Sequence, residues 1–157
     1  MLKYKINSDI TIPQDKRADI NAKIIYMITN NLVEKTGFTA ADIFNSYTGD
    51  GGLHGLELKN FKNFHEYTEA KKEIEQGQFF SPRHICQFIV DCIKPTSKDI
   101  IYDLTCGMGN FFNYLPTESN IYGADIDIKA VKVAKYLYPT ANITHEDIRG
   151  SELQMKA

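Results

Sequence analysis

Residues 102–112, YDLTCGMGNFF, close an apolar run with an aspartate and then pass through two glycines. The run DIIYDL at 99–104 has the short apolar pattern of a strand, and NFFNYL at 110–115 starts a helix after the glycines. A strand, a glycine turn and a helix in this order are typical of cofactor sites in α/β sheets. The stretch therefore predicts a small-molecule site at the carboxyl end of this strand.

The segments around this turn predict the rest of a parallel sheet. A helix is expected over 81–95, with Ser81 as its N-cap and Pro82 at its first helical position. Further strands are expected at NIYGADI (120–126) and ANITHED (141–147), separated by an amphipathic helix. Strands that alternate with helices indicate a parallel α/β sheet with right-handed crossovers. The expected inward-facing residues of the two helices are Ile85, Phe88, Ile89 and Cys92 in the first and Val131, Ala134 and Leu137 in the second.

The first half of the chain has a helical pattern. Apolar residues recur at helical spacing over 15–37, where Gly37 suits the end of a helix, and Thr39 can cap a short helix after it. A third helix is expected at about 61–76. We therefore divide the chain into a helical region, 1–76, and a cofactor-binding part, 77–157.

Composition excludes several classes of protein. The chain of 157 residues is 43% hydrophobic and 24% charged, and no apolar run approaches the length of a membrane span. Its three cysteines, Cys86, Cys92 and Cys106, have no metal-ligand spacing and are expected to be buried thiols. No metal site, no membrane partner and a cytoplasmic location are therefore expected.

The charge balance bears on nucleic-acid binding. Formal net charge is −2, with 10 Lys/Arg against 11 Asp/Glu in residues 1–76 and 8 against 9 in residues 77–157. A domain that grips phosphates usually carries an excess of positive charge. If the protein acts on DNA, we expect groups outside this chain to provide most of the contacts with the phosphates.

Electrostatics favour one cofactor for the glycine turn. A dinucleotide fold needs a third glycine where Phe112 stands, and the carboxylate of Asp103 would repel a diphosphate. The same carboxylate suits S-adenosylmethionine (SAM), which has an ammonium group and a sulfonium centre and no phosphate. Gly107 and Gly109 let the backbone approach such a ligand closely.

The next two strands end in acids as well. Asp125 follows Asp103 by 22 residues and can accept hydrogen bonds from both ribose hydroxyls, while Ile126 offers an apolar surface to adenine. Asp147, after the third strand, can accept from the adenine amino group. Carboxyl ends of adjacent parallel strands meet at one edge of a sheet, so the three acids predict one nucleoside site.

GQFFSP at 77–82 followed by DLTCGMGNFF, YGADID and HEDIRG resembles the N-terminal half of an N6-adenine DNA methyltransferase, in particular the modification subunits of type I restriction systems. The resemblance implies a partial Rossmann-like methyltransferase fold, with three parallel strands and flanking helices after a helical N-terminal region. It also implies DNA as substrate of the full-length enzyme, with restriction or specificity subunits as partners. The implied SAM-binding residues are Phe79, Phe80, Ser81, Pro82, Asp103, Thr105, Gly107, Gly109, Asp125, Ile126, Asp147 and Ile148.

The chain departs from the family pattern in a few places. Ser81, Leu104 and Met108 stand where the family usually has Thr, Pro, and Thr or Ser, and none of these changes removes a needed group. YTGDGGLHGL at 47–56 is similar to a segment of large methyltransferase-helicase fusions, and a tight loop is an equally good interpretation. The family's catalytic motif, [N/D/S]-P-P-[Y/F], is absent, since none of the five prolines is followed by another.

Two hypotheses follow from this pattern. The chain is the SAM-binding part of an adenine-N6 methyltransferase that is inactive alone, or it is a non-catalytic interaction module derived from one. In either case DIIYDL is expected to be a sheet edge that pairs with another copy, is covered by the N-terminal helices, or is poorly ordered. A methyltransferase acting on RNA or protein is a weaker third hypothesis.

Overall fold

The computed structural model describes residues 2–7, 12, 14–49, 58–75 and 80–149. Five α-helices occur in these ranges: α1 (Gln14–Thr29), α2 (Ala40–Ser46), α3 (Phe64–Glu75), α4 (Arg83–Ile93) and α5 (Ile128–Leu137). The strands are β1 (Ile100–Asp103), β2 (Asn120–Asp125) and β3 (Asn142–His145), and short 3-10 helices lie at 34–36, 58–60 and 110–114. Within these ranges, no helix combines the length and the apolar character that crossing a membrane requires.

The three strands form one parallel sheet in the order β1-β2-β3. Ile100 pairs with Asn120 at the start of the sheet, and Asp125 pairs with His145 at its carboxyl end. α5 connects β2 to β3 and packs on both strands, with Val131, Ala134 and Leu137 buried as predicted. The predicted fold class, an α/β sheet of three parallel strands with flanking helices, is confirmed.

The helical region and the sheet share one hydrophobic core. α1 and α2 pack on α5, and the core runs from Ile24 and Phe44 to Val133 and Ile143. The boundary expected between residues 76 and 77 lies outside the described residues. The two parts of the chain are therefore joined by packing on both sides of α5.

Tyr4 fastens the N-terminal segment to this core. Its backbone N–H donates to Oδ1 of Asn113 at 2.6 Å, and the Nδ2 of Asn113 donates back to the Tyr4 carbonyl at 2.8 Å. The Tyr4 hydroxyl donates to the carbonyl of Leu137 at 2.7 Å, and its ring stacks on Phe44 at 5.3 Å between centroids. Residues far apart in the chain are thus held together around the end of α5.

Arg83 ties α4 to α2. Its guanidinium lies 4.1 Å from the centroid of the Phe44 ring and donates to the Phe44 carbonyl and, at 3.2 Å, to Oδ1 of Asn45. Burial lowers the pKa of this guanidinium from its ordinary value. No pattern in the sequence predicts this contact.

Two predicted helices differ from the structure. The helix expected over 15–37 ends at Thr29, because Asn31 adopts a positive φ of 55° and the chain turns before a 3-10 helix that Gly37 closes. The helix after Ser81 begins at Arg83, and Pro82, not Ser81, occupies its N-cap without a side-chain hydrogen bond. Thr39, by contrast, caps α2 as predicted, in a capping box with Asp42.

The inner face predicted for α4 is wrong for Ile85, Phe88 and Cys92, and only Ile89 of the predicted residues is half-buried. Cys86 and Val90 are the buried residues of this helix, whereas Ile85 is 41% and Phe88 66% exposed. The buried face of the helix is shifted by about one residue from the predicted face. The sequence pattern did not separate the two, because apolar residues stand on both faces of the helix. Cys92 is exposed as well, so only two of the three thiols are buried as expected.

β1 lies at an edge of the sheet. Ile100 is 57% and Tyr102 47% exposed, and α1 and α2 pack on α5. Of the three outcomes expected for this edge, covering by the N-terminal helices is not seen among the described residues, where α1 and α2 pack on α5. Pairing of this edge with another chain stays a prediction.

Candidate cofactor site

The glycine turn after β1 is bonded to the neighbouring strand. Cys106 N–H donates to the carbonyl of Ala124 at 2.9 Å, and Gly109 N–H donates to that of Cys106 at 2.8 Å. Gly107 and Gly109 both have positive φ, at 56° and 86°. A Cβ on Gly107 would lie 2.7 Å from Cδ1 of Phe80, so the ring of Phe80 lies directly against the turn.

Asp125 connects the turn to the end of β2. One carboxylate oxygen accepts from the N–H of Gly107 at 2.8 Å, and the other accepts from the N–H of Asp127 at 2.9 Å. A carboxylate oxygen can accept a second hydrogen bond, so both retain a position for a ligand hydroxyl. Asp125 thus holds the turn and can still bind a diol.

Asp103 is a partly buried carboxylate beside Asp125. It accepts from the N–H of Thr105 at 3.2 Å. Burial raises the pKa of Asp103, and the charge of Asp125 raises it further. No lysine or arginine among the described residues forms an ion pair with Asp103. The arrangement therefore favours a ligand that brings a positive charge.

The segment before α4 adjoins the same turn. Asn110 Nδ2 donates to the carbonyl of Ser81 at 3.0 Å, which joins this segment to the first residue after the glycines. The side chains of Ser81 and Pro82 are exposed, and that of Phe80 is half-buried. Phe79 lies outside the described residues. Ser81 is therefore free of the capping role that its position suggested.

A backbone hydrogen bond joins the segment after β3 to Asp125. Glu146 N–H donates to the Asp125 carbonyl at 3.0 Å. Asp147 is exposed and forms a bidentate pair with Arg149, whose hydrogen bonds lower the pKa of Asp147 to about 2. The structure thus joins Asp147 to the other acids only through its neighbour in sequence.

The apolar candidates differ in exposure. Ile126 is 62% exposed at the end of β2, and its carbonyl lies 2.8 Å from Nε2 of His145. Ile148 is half-buried. An exposed isoleucine next to the Asp125 carboxylate offers an apolar surface that could cover one face of a planar ring.

The structure brings part of the predicted set together and adds one residue. Gly107 donates to Asp125 and lies against the Phe80 ring, and the charges of Asp103 and Asp125 interact. The Asp147 side chain, by contrast, pairs with Arg149. Asn110, which ties Ser81 to the turn, was missed, because an asparagine after a glycine turn ordinarily indicates a helix cap. No group of three metal-ligating side chains occurs in the part of the chain that the structure describes.

Comparison with known proteins gives one family and two similar structures. Residues 62–154, more than half of the chain, match the family model described as N-6 DNA Methylase. A protein from Vibrio vulnificus YJ016, assigned as a modification subunit of a type I restriction enzyme, is similar at 19% identity and a TM-score of 0.43; the match covers 59% of this chain and 25% of that one. A TehB-like SAM-dependent methyltransferase from Corynebacterium glutamicum ATCC 13032 Kitasato is similar at 17% identity and a TM-score of 0.36, over 55% and 46%. The chain spans a quarter of the first protein and less than half of the second.

Proposed function

The chain belongs to the N-6 DNA methylase family, and we propose that it forms the SAM-binding part of an adenine-N6 DNA methyltransferase. The observation that carries the proposal is the pair of carboxylates, Asp103 and Asp125, at the carboxyl ends of neighbouring strands around one glycine turn. This is the edge at which open α/β sheets bind ligands. The family membership and this arrangement support the same cofactor.

The charges of the turn fit SAM better than a dinucleotide. A diphosphate at Gly107 would meet the carboxylates of Asp103 and Asp125 with no described lysine or arginine paired to Asp103. An ammonium group placed there offsets the cost of burying Asp103. Gly107 also cannot carry a side chain while the Phe80 ring lies against it. The residues present therefore suit a compact, cationic nucleoside ligand.

Each predicted residue has a distinct task in this proposal. Asp125 accepts the ribose hydroxyls, and Ile126, Asp147 and Ile148 surround the adenine. The methionine end of the cofactor carries its carboxylate, ammonium and sulfonium groups. The residues that hold this end are Phe79, Phe80, Ser81, Pro82, Asp103, Thr105, Gly107 and Gly109. When bound, SAM supplies an electrophilic methyl group on its sulfonium. The work of this chain is to position that group.

The target base and the DNA call for groups beyond those identified in this chain. None of the five prolines is followed by a second proline, so the family's catalytic motif is absent. The formal charge of −2 provides no excess of cations for a phosphate backbone. We therefore expect the chain alone to bind the cofactor without transferring its methyl group, and the whole enzyme to act on DNA with restriction or specificity subunits.

One observation favours a second candidate function. The Asp147 carboxylate is paired with Arg149, so it is less available to accept a hydrogen bond from adenine than Asp125 is to accept one from ribose. A methyltransferase-derived module that has lost the cofactor and serves only as an interaction subunit would tolerate such a pairing. The two candidates differ in whether the chain binds SAM.

Calorimetric titration distinguishes them. Wild type is titrated with SAM, with S-adenosylhomocysteine (SAH) and with NAD. Asp125→Ala is the test variant, and Asp42→Ala is its matched control. Each removes a carboxylate that accepts a hydrogen bond from a backbone N–H, and Asp42 lies in the capping box of α2. We expect SAM and SAH to bind wild type and Asp42→Ala, with binding lost in Asp125→Ala and none to NAD. Folded wild-type protein that binds neither SAM nor SAH would favour the interaction module.

A further inference from the structure

A clamp from α1 holds the segment that follows α2. Asn21 is 5% exposed, and its Nδ2 donates to the carbonyl of Gly49 at 2.7 Å. Its Oδ1 accepts from the N–H of Thr48 at 3.0 Å. One buried side chain thus fixes two consecutive residues of the backbone, through a donor and an acceptor.

The held segment supports the aromatic ring that lies against the glycine turn. Tyr47, directly before Thr48, is 2% exposed, and its ring centroid is 5.9 Å from that of Phe80. Phe80 in turn lies so close to Gly107 that a Cβ there would be 2.7 Å from its ring. A chain of contacts therefore runs from Asn21 through Tyr47 to the turn.

Tyr47 also borders a cavity. This cavity, of about 540 Å³, lies between α1 and the start of α5, and Tyr47 lines it together with Asn21, Ile25, Tyr26 and Lys129. The cavity offers this ring a place to shift into if its backbone is released. The Asn21 clamp therefore helps to keep Tyr47 in place against Phe80.

We propose that Asn21 is a positioning residue for the cofactor site, which acts by holding Tyr47 behind Phe80. The inference rests on the proposed function and adds a residue that lies outside the family match at 62–154. In this arrangement α1 and α2 set the place of the ring that covers the methionine end of SAM. Asn21 itself does not touch the ligand.

The test compares SAH affinity in two variants that destabilise the same pair of helices. Asn21→Ala removes the clamp, whereas Thr39→Ala removes the capping box at the opposite end of α2 and leaves the Asn21 clamp in place. We expect the dissociation constant for SAH to rise about tenfold in Asn21→Ala, since a buried amide that makes two hydrogen bonds to the backbone behind Tyr47 is lost. Thr39→Ala lowers the melting temperature and leaves the constant unchanged.

A second pair of variants keeps the test sharp if Asn21→Ala does not fold. Tyr47→Phe retains the ring and is expected to bind SAH as wild type does, and Tyr47→Leu is expected to bind it more weakly. Equal affinities in Asn21→Ala and Thr39→Ala, or in the two Tyr47 variants, would overturn the positioning role while leaving the proposed function standing. A wild-type protein that does not bind SAH would overturn both.

Discussion

Gly109 is the position where an added methyl group meets the core. Its φ is 86°, and a Cβ there would lie 2.7 Å from Cδ2 of Phe112 and 2.9 Å from Cε2 of Tyr138. Both rings are buried, at 4% and 3% exposure, and they pack edge to face 5.6 Å apart. Neither ring can move without disturbing the other, so Gly109→Ala must strain both backbone and core.

The cost of this substitution has two parts. A left-handed conformation costs a residue with a Cβ roughly 1–2 kcal/mol, and overpacking a core costs roughly 1–3 kcal/mol. Gly109→Ala is therefore expected to lower the free energy of unfolding by about 2–5 kcal/mol. Gly37→Ala is the matched control, because Gly37 has a φ of 81° and a Cβ there would meet nothing within 4 Å. Its cost is the backbone part alone, roughly 1–2 kcal/mol.

Urea unfolding followed by circular dichroism measures both variants against wild type. We expect the midpoint of Gly109→Ala to fall clearly below that of Gly37→Ala, at an unchanged slope. Equal midpoints would show that the rings of Phe112 and Tyr138 yield without cost. This result would refute the claim that the two rings leave no room for a side chain at Gly109.

Three further predictions concern charge, packing and the sheet edge. The pKa of Asp103 is raised in the folded protein above its ordinary 3.8, so the stability of wild type should rise as the pH falls through this raised pKa toward 3.8. Asp103→Asn should therefore raise the melting temperature at neutral pH, lose that advantage in acid and weaken SAH binding. A lower melting temperature of the variant at neutral pH would contradict this. Arg83→Met removes the guanidinium bonds to α2 and should lower the free energy of unfolding by about 2–3 kcal/mol in urea titrations; wild-type stability would show that the contact is dispensable. The edge formed by Ile100 and Tyr102 should let the chain self-associate in sedimentation experiments, and Ile100→Lys should reduce the association; a wild type that stays monomeric at high concentration would disprove it.

The sheet could be predicted from the sequence because its signals are local. The apolar runs that end at Asp103 and Asp125 coincide with β1 and β2, and the glycine turn lies where expected. α4 was harder, since Ile85, Cys86 and Val90 offer apolar residues on more than one face. Contacts with the 3-10 helix at 110–114, which is distant in sequence, help to determine which face is buried.

The site was predictable only in part for the same reason. Parallel strands bring their carboxyl ends to one edge, so Asp103 and Asp125 could be paired from their spacing alone. The amide contacts of Asn21 and Asn110 follow no periodic pattern, and they became visible only with the backbone in place. The pairing of Asp147 with Arg149, two residues later, likewise depends on the local turn.

The most direct test of the cofactor site is an amide ¹H–¹⁵N NMR titration of the chain with SAH. The N–H groups of Gly107 and Asp127 both donate to the carboxylate of Asp125, so we predict that their resonances shift as the ribose hydroxyls bind that carboxylate. The amides of Thr39 and Asp42, in the distant capping box, should not move. Saturating SAH that leaves the Gly107 and Asp127 resonances unchanged would contradict the account of this chain as a SAM-binding part of a methyltransferase.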